Sequence, residues 1–310
     1  MQKHTTKTFI LKNIKPFKWI IIGQIIVAII WAIDLSLRPY LLKIMLDKLA
    51  ILQSANAVAE LLAPAIFYIG MSLLITIVFR FHDYLWLKLN SGLKRHLGNI
   101  LMSRMMQHSQ GLFQNNFAGN IGNKIKDVMS GVPDLIAIIV DQFLAHSLSL
   151  SVAVFAVWTV NFKFALALCA WVTIFISGSV FLSIHAKYLC EVAADVRSRV
   201  VGHIVDILSN MMNVRLFSGA AFEEKKLTRK LDKYVAADQN RDWYFLWMFA
   251  FQGLSFVIYQ GVCLFWLIYG FRDGVVTAGD FALIITINIH IIDALWTLSK
   301  DISRYADTLG

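Results

Sequence analysis

The sequence predicts an all-α, polytopic membrane protein: six transmembrane helices with long cytoplasmic helical extensions. Three observations carry that prediction. First, hydrophobic residues make up 58% of the 310 residues and charged residues only 16%, with a mean hydropathy of +0.62. Soluble domains run at about 45–50% apolar and about 25% charged. Second, the apolar residues gather in six runs, each longer than the ~20 residues that cross a bilayer. Third, basic residues alternate in density from one connection to the next. The composition excludes a disordered chain, which carries far less apolar surface. With 17 Gly and 4 Pro it also excludes a collagen-like one. Cys169, Cys190 and Cys263 are odd in number and sit in or beside apolar helical runs. They read as packing residues, neither a disulfide framework nor a zinc site.

The net charge of +9 is topological. Lys3, Lys7, Lys12, Lys15 and Lys18 precede the first run. Lys88, Lys94, Arg95, Arg104, Lys124 and Lys126 fall between the second and third. Lys187, Arg197, Arg199, Arg215, Lys225, Lys226, Arg229, Lys230, Lys233 and Arg241 fall between the fourth and fifth, and Lys300 and Arg304 end the chain. The alternate connections hold only Lys43, Lys48, Lys163 and Arg272. This is the positive-inside pattern. It places both termini and both long connections in the cytoplasm, implies an even number of spans, and points to anionic lipid rather than nucleic acid as the partner. The expected location is the plasma membrane, the inner membrane of a bacterium.

Residues 1–18 form the first unit of the reading, a cytoplasmic amphipathic segment. Phe9, Ile10, Ile14 and Phe17 share one helical face among lysines, which suits an interfacial helix. The six-span body follows over 19–310. Run one covers about 18–46, and Pro39 is expected to kink it near its outer end. Run two starts at Pro64, where proline suits a first turn, and is apolar to about Phe81. Run three is roughly 132–160 and run four roughly 164–186, with only Asn161, Phe162 and Lys163 between them. Run five is about 243–271, and run six begins near Thr277 and is apolar to about Leu298.

The cytoplasmic connections, about 82–131 and 187–242, read as helices rather than loops. Leu85, Leu89, Leu93, Leu97, Leu101 and Met105 recur every four residues in the first. Ala193, Val196, Val200, Ile204, Ile207, Met211 and Val214 recur at three and four in the second. Spans therefore continue beyond the membrane, by on the order of 35–40 Å for 25 residues. A turn-prone segment breaks each connection: Ser109–Gly119 and Asn213–Ala221. Both mix small polar residues with aromatics, and apolar side chains at such a tip suggest a docking surface.

This layout resembles the membrane domain of ATP-binding cassette (ABC) exporters of the six-helix, type IV kind, over essentially the whole chain. Lys7–Lys18 matches the family's elbow helix. Pro39–Asp47 resembles the stretch closing the first span. Leu112-Phe113 with Gly119–Ile125 resembles the first coupling region, and Val214–Phe217 followed by Glu223 the second. Thr277-Ala-Gly279-Asp280-Phe281 resembles the start of span six. The resemblance implies two such membrane domains, a second copy or a homologous chain, each driven by a nucleotide-binding domain. It implies coupling through Leu112, Phe113 and Phe117 at the first tip and Phe217, Phe222 and Glu223 at the second, with Glu223 meeting a basic partner. No G-x-x-x-x-G-K-[ST] loop occurs in the sequence. No nucleotide-binding domain is therefore expected within these residues. ATP and Mg²⁺ are expected on such a domain, carried by a partner chain or lost by truncation.

Ionisable residues inside spans are expensive and face the bundle interior. The candidates for the translocation pathway are Asp34 and Arg38 in span one, Asp141 and His146 in span three, and His290 and Asp293 in span six. Asp34–Arg38 and His290–Asp293 stand at spacings where side chains meet. They are either a polar cavity wall or satisfied interhelical pairs. Arg80, His82 and Asp83 fall at the cytoplasmic interface. An ion-gradient-driven secondary transporter is the alternative, which calls for internal repeats and broken midplane helices. No catalytic, cofactor or metal-ligand constellation stands out in the sequence.

Overall fold

The computed structural model describes residues 6–51, 57–108 and 118–309. All of its regular elements among these residues are helical. Helix α1 (Thr6–Ile14) leads through a 3-10 turn at Lys15–Phe17 into α2 (Lys18–Ile51). Then follow α3 (Ala57–Met105) and α4 (Ala118–Ala137), a π-helical segment at Ile138–Leu144, α5 (Ala145–Val160) and α6 (Phe162–Ser209). The chain ends with the short α7 (Met211–Leu216), α8 (Ala220–Arg272) and α9 (Ala278–Leu309). Among the described residues, six stretches are long and apolar enough to cross a membrane: Thr8–Ile51, Val58–Met105, Ile121–Val160, Phe162–Ser209, Ala220–Arg272 and Ala278–Thr297.

Several boundaries differ from the sequence reading. Pro64 does not open its helix, because α3 already runs from Ala57. Proline there has no N–H for the Glu60 carbonyl one turn back, and that carbonyl accepts from Lys48 Nζ at 3.3 Å instead. Only Asn161 interrupts the third and fourth spans. Its extended backbone caps α5, and Phe162 begins α6. Pro39 and Pro133 both lie inside continuous helices. The second tip is less loop-like than its composition suggests: Met211–Leu216 is itself a helix.

The chain forms two compact units. One holds residues 1–162 with 267–295, the other 163–266 with 296–310. In the first, Leu89, Leu93 and Leu97 of α3 are fully buried and cluster with Val132, Ile136 and Val140. The four-residue spacing puts these leucines on one stripe. Phe9, Ile10, Ile14 and Phe17 pack against that cluster, and the Arg104 guanidinium lies 5.1 Å from the Phe9 ring centroid. The face of α1 that suits a bilayer surface is thus partly covered by protein.

In the second unit α6 and α8 run antiparallel and meet through a series of side-chain pairs. Near one end the rings of Phe164 and Trp266 meet edge-on at 6.0 Å. Trp171 stacks on Tyr259 at 4.8 Å, and its indole N–H donates to Ser255 Oγ at 3.3 Å. Gln252 donates to Ser179 Oγ at 2.9 Å, and the Tyr244 hydroxyl donates to the Leu182 carbonyl at 3.0 Å. Near the other end His203 Nε2 stands 3.4 Å from Glu223 Oε2. At 1.5 Å per residue the 48 residues of α6 make a rod of roughly 70 Å. A hydrocarbon core is only about 30 Å thick.

Candidate functional site: polar spans, an interhelical clasp and a helical tip

The first unit holds all six of the span residues singled out from sequence. On α2 the Arg38 Nε donates to Asp34 Oδ1 at 2.8 Å, and Asp34 is 7% exposed. The i,i+4 geometry predicted from spacing is therefore present. On the neighbouring residue, the Leu35 carbonyl accepts from His290 Nδ1 of α9 at 3.2 Å. His290 thus turns this nitrogen to α2 rather than along its own helix to Asp293, which lies three residues further on and is exposed.

Asp141 falls in the π-helical segment, a rare geometry that widens one turn and re-aims its side chains. It accepts from His82 Nε2 of α3 at 3.0 Å. His146 follows at the start of α5, donating from Nε2 to Gln142 Oε1 at 3.1 Å, and its ring meets Trp31 edge-on at 5.5 Å. Trp31 stands one turn before Asp34, so the first and third spans meet at these polar groups. The sequence reading left His82 at an interface. Its partner is fifty-nine residues away, and no local pattern reveals a contact of that range.

A second polar cluster joins α2 to the start of α9. Thr277 precedes α9 and Asp280 lies in its first turn. Asp280 Oδ2 accepts from the Thr277 N–H at 2.9 Å and from its hydroxyl at 2.9 Å, while the Asp280 N–H donates to Thr277 Oγ1 at 3.2 Å. This reciprocal pattern is a capping box. The free Asp280 Oδ1 accepts from Lys43 Nζ at 2.5 Å. Lys43 also lies 3.2 Å from Asp47 Oδ2, and Asp47 Oδ1 accepts from the Gly279 N–H at 2.8 Å. Glycine is required at 279, because a Cβ there would fall on the Lys43 carbonyl and the Asp47 carboxylate. The Pro39–Asp47 and Thr277–Phe281 stretches, picked out separately in the sequence, are the two halves of this one clasp.

The third feature is the tip of the second unit. Helix α7 ends at Leu216, and Ser218 then adopts φ 51°, the left-handed conformation glycine usually supplies. That turn returns the Gly219 N–H to the Val214 carbonyl at 2.8 Å, as in a Schellman closure. It leaves Phe217 82% exposed and Phe222 68% exposed. Lys226 lies over the Phe222 ring at 5.9 Å. Glu223 has a basic neighbour inside its own unit, the buried His203. Leu112, Phe113 and Phe117 of the first tip lie outside the described residues.

Comparison places this arrangement among known proteins. The chain superposes on a bacterial Atm1-family ABC exporter with ATP bound, with a TM-score of 0.72 at 16% identity over 94% of this chain. The match takes in 52% of that exporter, so the chain spans about half its length. No curated protein sequence matches it. The family model for the ABC transporter transmembrane region matches residues 20–295, from the first span through the clasp and the polar residues of span six. The chain belongs to the ABC transporter transmembrane region family.

Proposed function

We propose that the chain forms the translocation path of an ATP-driven exporter. In this reading it pairs with a second copy or a homologous membrane domain, and nucleotide-binding domains holding ATP and Mg²⁺ drive the pair. Both termini, the α3–α4 connection and the α7 tip face the cytoplasm. The positive-inside distribution supports that orientation, and the plasma membrane is the location it fits. Residues 1–18 act as the elbow of a membrane body over 19–310.

The observation that carries the reading is the α7 tip within a chain of this family. A short helix followed by two exposed phenylalanines stands at the end of a rigid helical pair reaching on the order of 40 Å beyond a bilayer core. Bare aromatics on a solvated rod have a use as anchors in a partner's apolar notch. A rod of that length transmits a push at its tip to the spans. Phe217, Phe222 and Glu223, with Leu112, Phe113 and Phe117 at the other tip, couple ATP-dependent closure to a two-state bundle. Asp34, Arg38, Asp141, His146, His290 and Asp293 supply the polar part of the path. Family membership gives the ion-gradient alternative no support.

The test replaces Phe217 with alanine and Glu223 with glutamine together. Insertion and ATP hydrolysis persist, while ATP-driven transport falls at least tenfold. Unchanged coupled transport in that variant defeats the coupling role.

A further inference from the structure

The base of the α7 tip holds a polar contact that points inward, away from any docking partner. His203 lies on α6, less than two turns before that helix ends at Ser209. It is 5% exposed, while Val201, Gly202, Ile204 and Val205 on either side of it are all exposed. The helix therefore turns this one imidazole toward α8. Its Nε2 is sealed from solvent and makes no aligned hydrogen bond among the described residues. Glu223 Oε2 stands 3.4 Å away. Burial strips such a nitrogen of its water, and an unmet buried polar atom is costly. The Glu223 carboxylate is the group placed to meet it.

The cations beside Glu223 are turned elsewhere. Lys226 stands three residues on, a spacing at which a helix pairs charges, but its ammonium lies over the Phe222 ring at 5.9 Å. Arg199, one turn before His203, is held by Asp195 at 2.7 Å. Glu223 also sits in the first turn of α8, where a carboxylate complements the helix N-terminus. Its N–H donates to the Gly219 carbonyl at 3.0 Å, and the Gly219 N–H donates to the Val214 carbonyl at 2.8 Å. A line of contacts thus runs from α6 through the first turn of α8 into α7. The hydrogen bond from Tyr244 to Leu182 ties the same two helices 21 residues further back along α6, roughly 30 Å at 1.5 Å per residue.

We infer that His203 is a positioning residue for the tip. Its Nε2 holds the Glu223 carboxylate, so Glu223 acts inward and the outward contact is left to Phe217 and Phe222. The role rests on the coupling reading of that tip. With the first turn of α8 fastened to α6, a push on the two phenylalanines moves both helices together instead of bending the tip aside.

The test is amide hydrogen exchange of the full protein in lipid nanodiscs without nucleotide, read by mass spectrometry over residues 211–223. His203→Leu keeps an apolar fit and removes the nitrogen. Exchange there rises about tenfold, the scale of one hydrogen bond to a charged group. Glu223→Ala raises it about as much, and combining the two adds less than twofold, because both remove one contact. His203→Gln keeps an N–H donor of similar reach and holds exchange within twofold of the parent. Exchange over residues 164–175, around the buried Phe164, Trp171 and Phe175, stays unchanged in every variant and reports an intact fold. A residue that only fills space gives the opposite order, with leucine protecting the tip and glutamine not. That order overturns the inference, as does a double variant whose effect is the product of the two single ones. Because exchange needs neither ATP nor substrate, its failure leaves the docking of Phe217 and Phe222 standing. Unchanged coupled transport in the tip variant, with the exchange order intact, removes the coupling reading and leaves the His203–Glu223 contact.

Discussion

Replacing Lys43 with methionine removes the cation that holds α2 to the start of α9. Its Nζ contacts Asp280 Oδ1 at 2.5 Å, Asp47 Oδ2 at 3.2 Å and Thr277 Oγ1 at 3.4 Å. The Asp280 side chain is 6% exposed, so its carboxylate has little water to turn to. Breaking a buried pair by removing one partner costs about 3–5 kcal/mol. The lower end applies here, because Asp280 keeps both Thr277 donors and Asp47 keeps the Gly279 N–H. The expected loss is about 3 kcal/mol, roughly a hundredfold in the folding equilibrium. Adding Asp280→Asn removes the stranded charge and preserves the cap geometry. The double variant then loses only about 1 kcal/mol, the net worth of an ordinary hydrogen bond. Unfolding in mixed micelles across the double-mutant cycle measures both terms. The reasoning is refuted if Lys43→Met lies within 0.5 kcal/mol of the parent, or if the double variant is no more stable than the single one.

Three other outcomes follow from particular contacts. Gly279→Ala places a methyl on the Lys43 carbonyl and the Asp47 carboxylate, so it loses about 1–3 kcal/mol in the same unfolding assay, the scale of core overpacking. Ser218→Gly relieves the left-handed residue at φ 51°. The strain of about 1–2 kcal/mol outweighs glycine's added chain entropy of about 0.5–1 kcal/mol, and amide exchange at Met211–Gly219 slows severalfold. Leu93→Ala empties a fully buried position under α1. It loses about 2–5 kcal/mol, and a cysteine placed at Ile10 becomes reactive to a water-soluble maleimide.

Much of the fold was legible because its signals are long and periodic. Six apolar runs give six spans, and Leu89, Leu93 and Leu97 announce a buried stripe by spacing alone. Phe9, Ile10, Ile14 and Phe17 share one face by spacing as well, although the sequence assigns that face to the membrane interface and the structure packs it against the leucine cluster. Asp34–Arg38 was legible for the same reason, since a helix brings residues four apart together. What escaped the sequence depends on contacts between distant elements or on local rearrangement. Lys43 meets Asp280 across more than two hundred residues, although the Thr277-x-x-Asp280 pattern alone signals a cap. The π-helical turn that aims Asp141 at His82 carries no composition mark. Pro64 misled because proline suits a first turn but is also tolerated slightly further in. The α7 helix was hidden by polar and glycine residues on its flanks, which mark its ends rather than its absence.

The central claim is that an ATP-binding domain docks on the α7 tip. A photo-crosslinking amino acid in place of Phe217, in the full protein in its native membrane, tests it most directly. The account predicts crosslinked peptides from an ATP-binding domain, whether that domain is carried by the same polypeptide or another, with a yield that changes when ATP is added. Crosslinks confined to lipid or to the chain's own spans, unchanged by ATP, would contradict it.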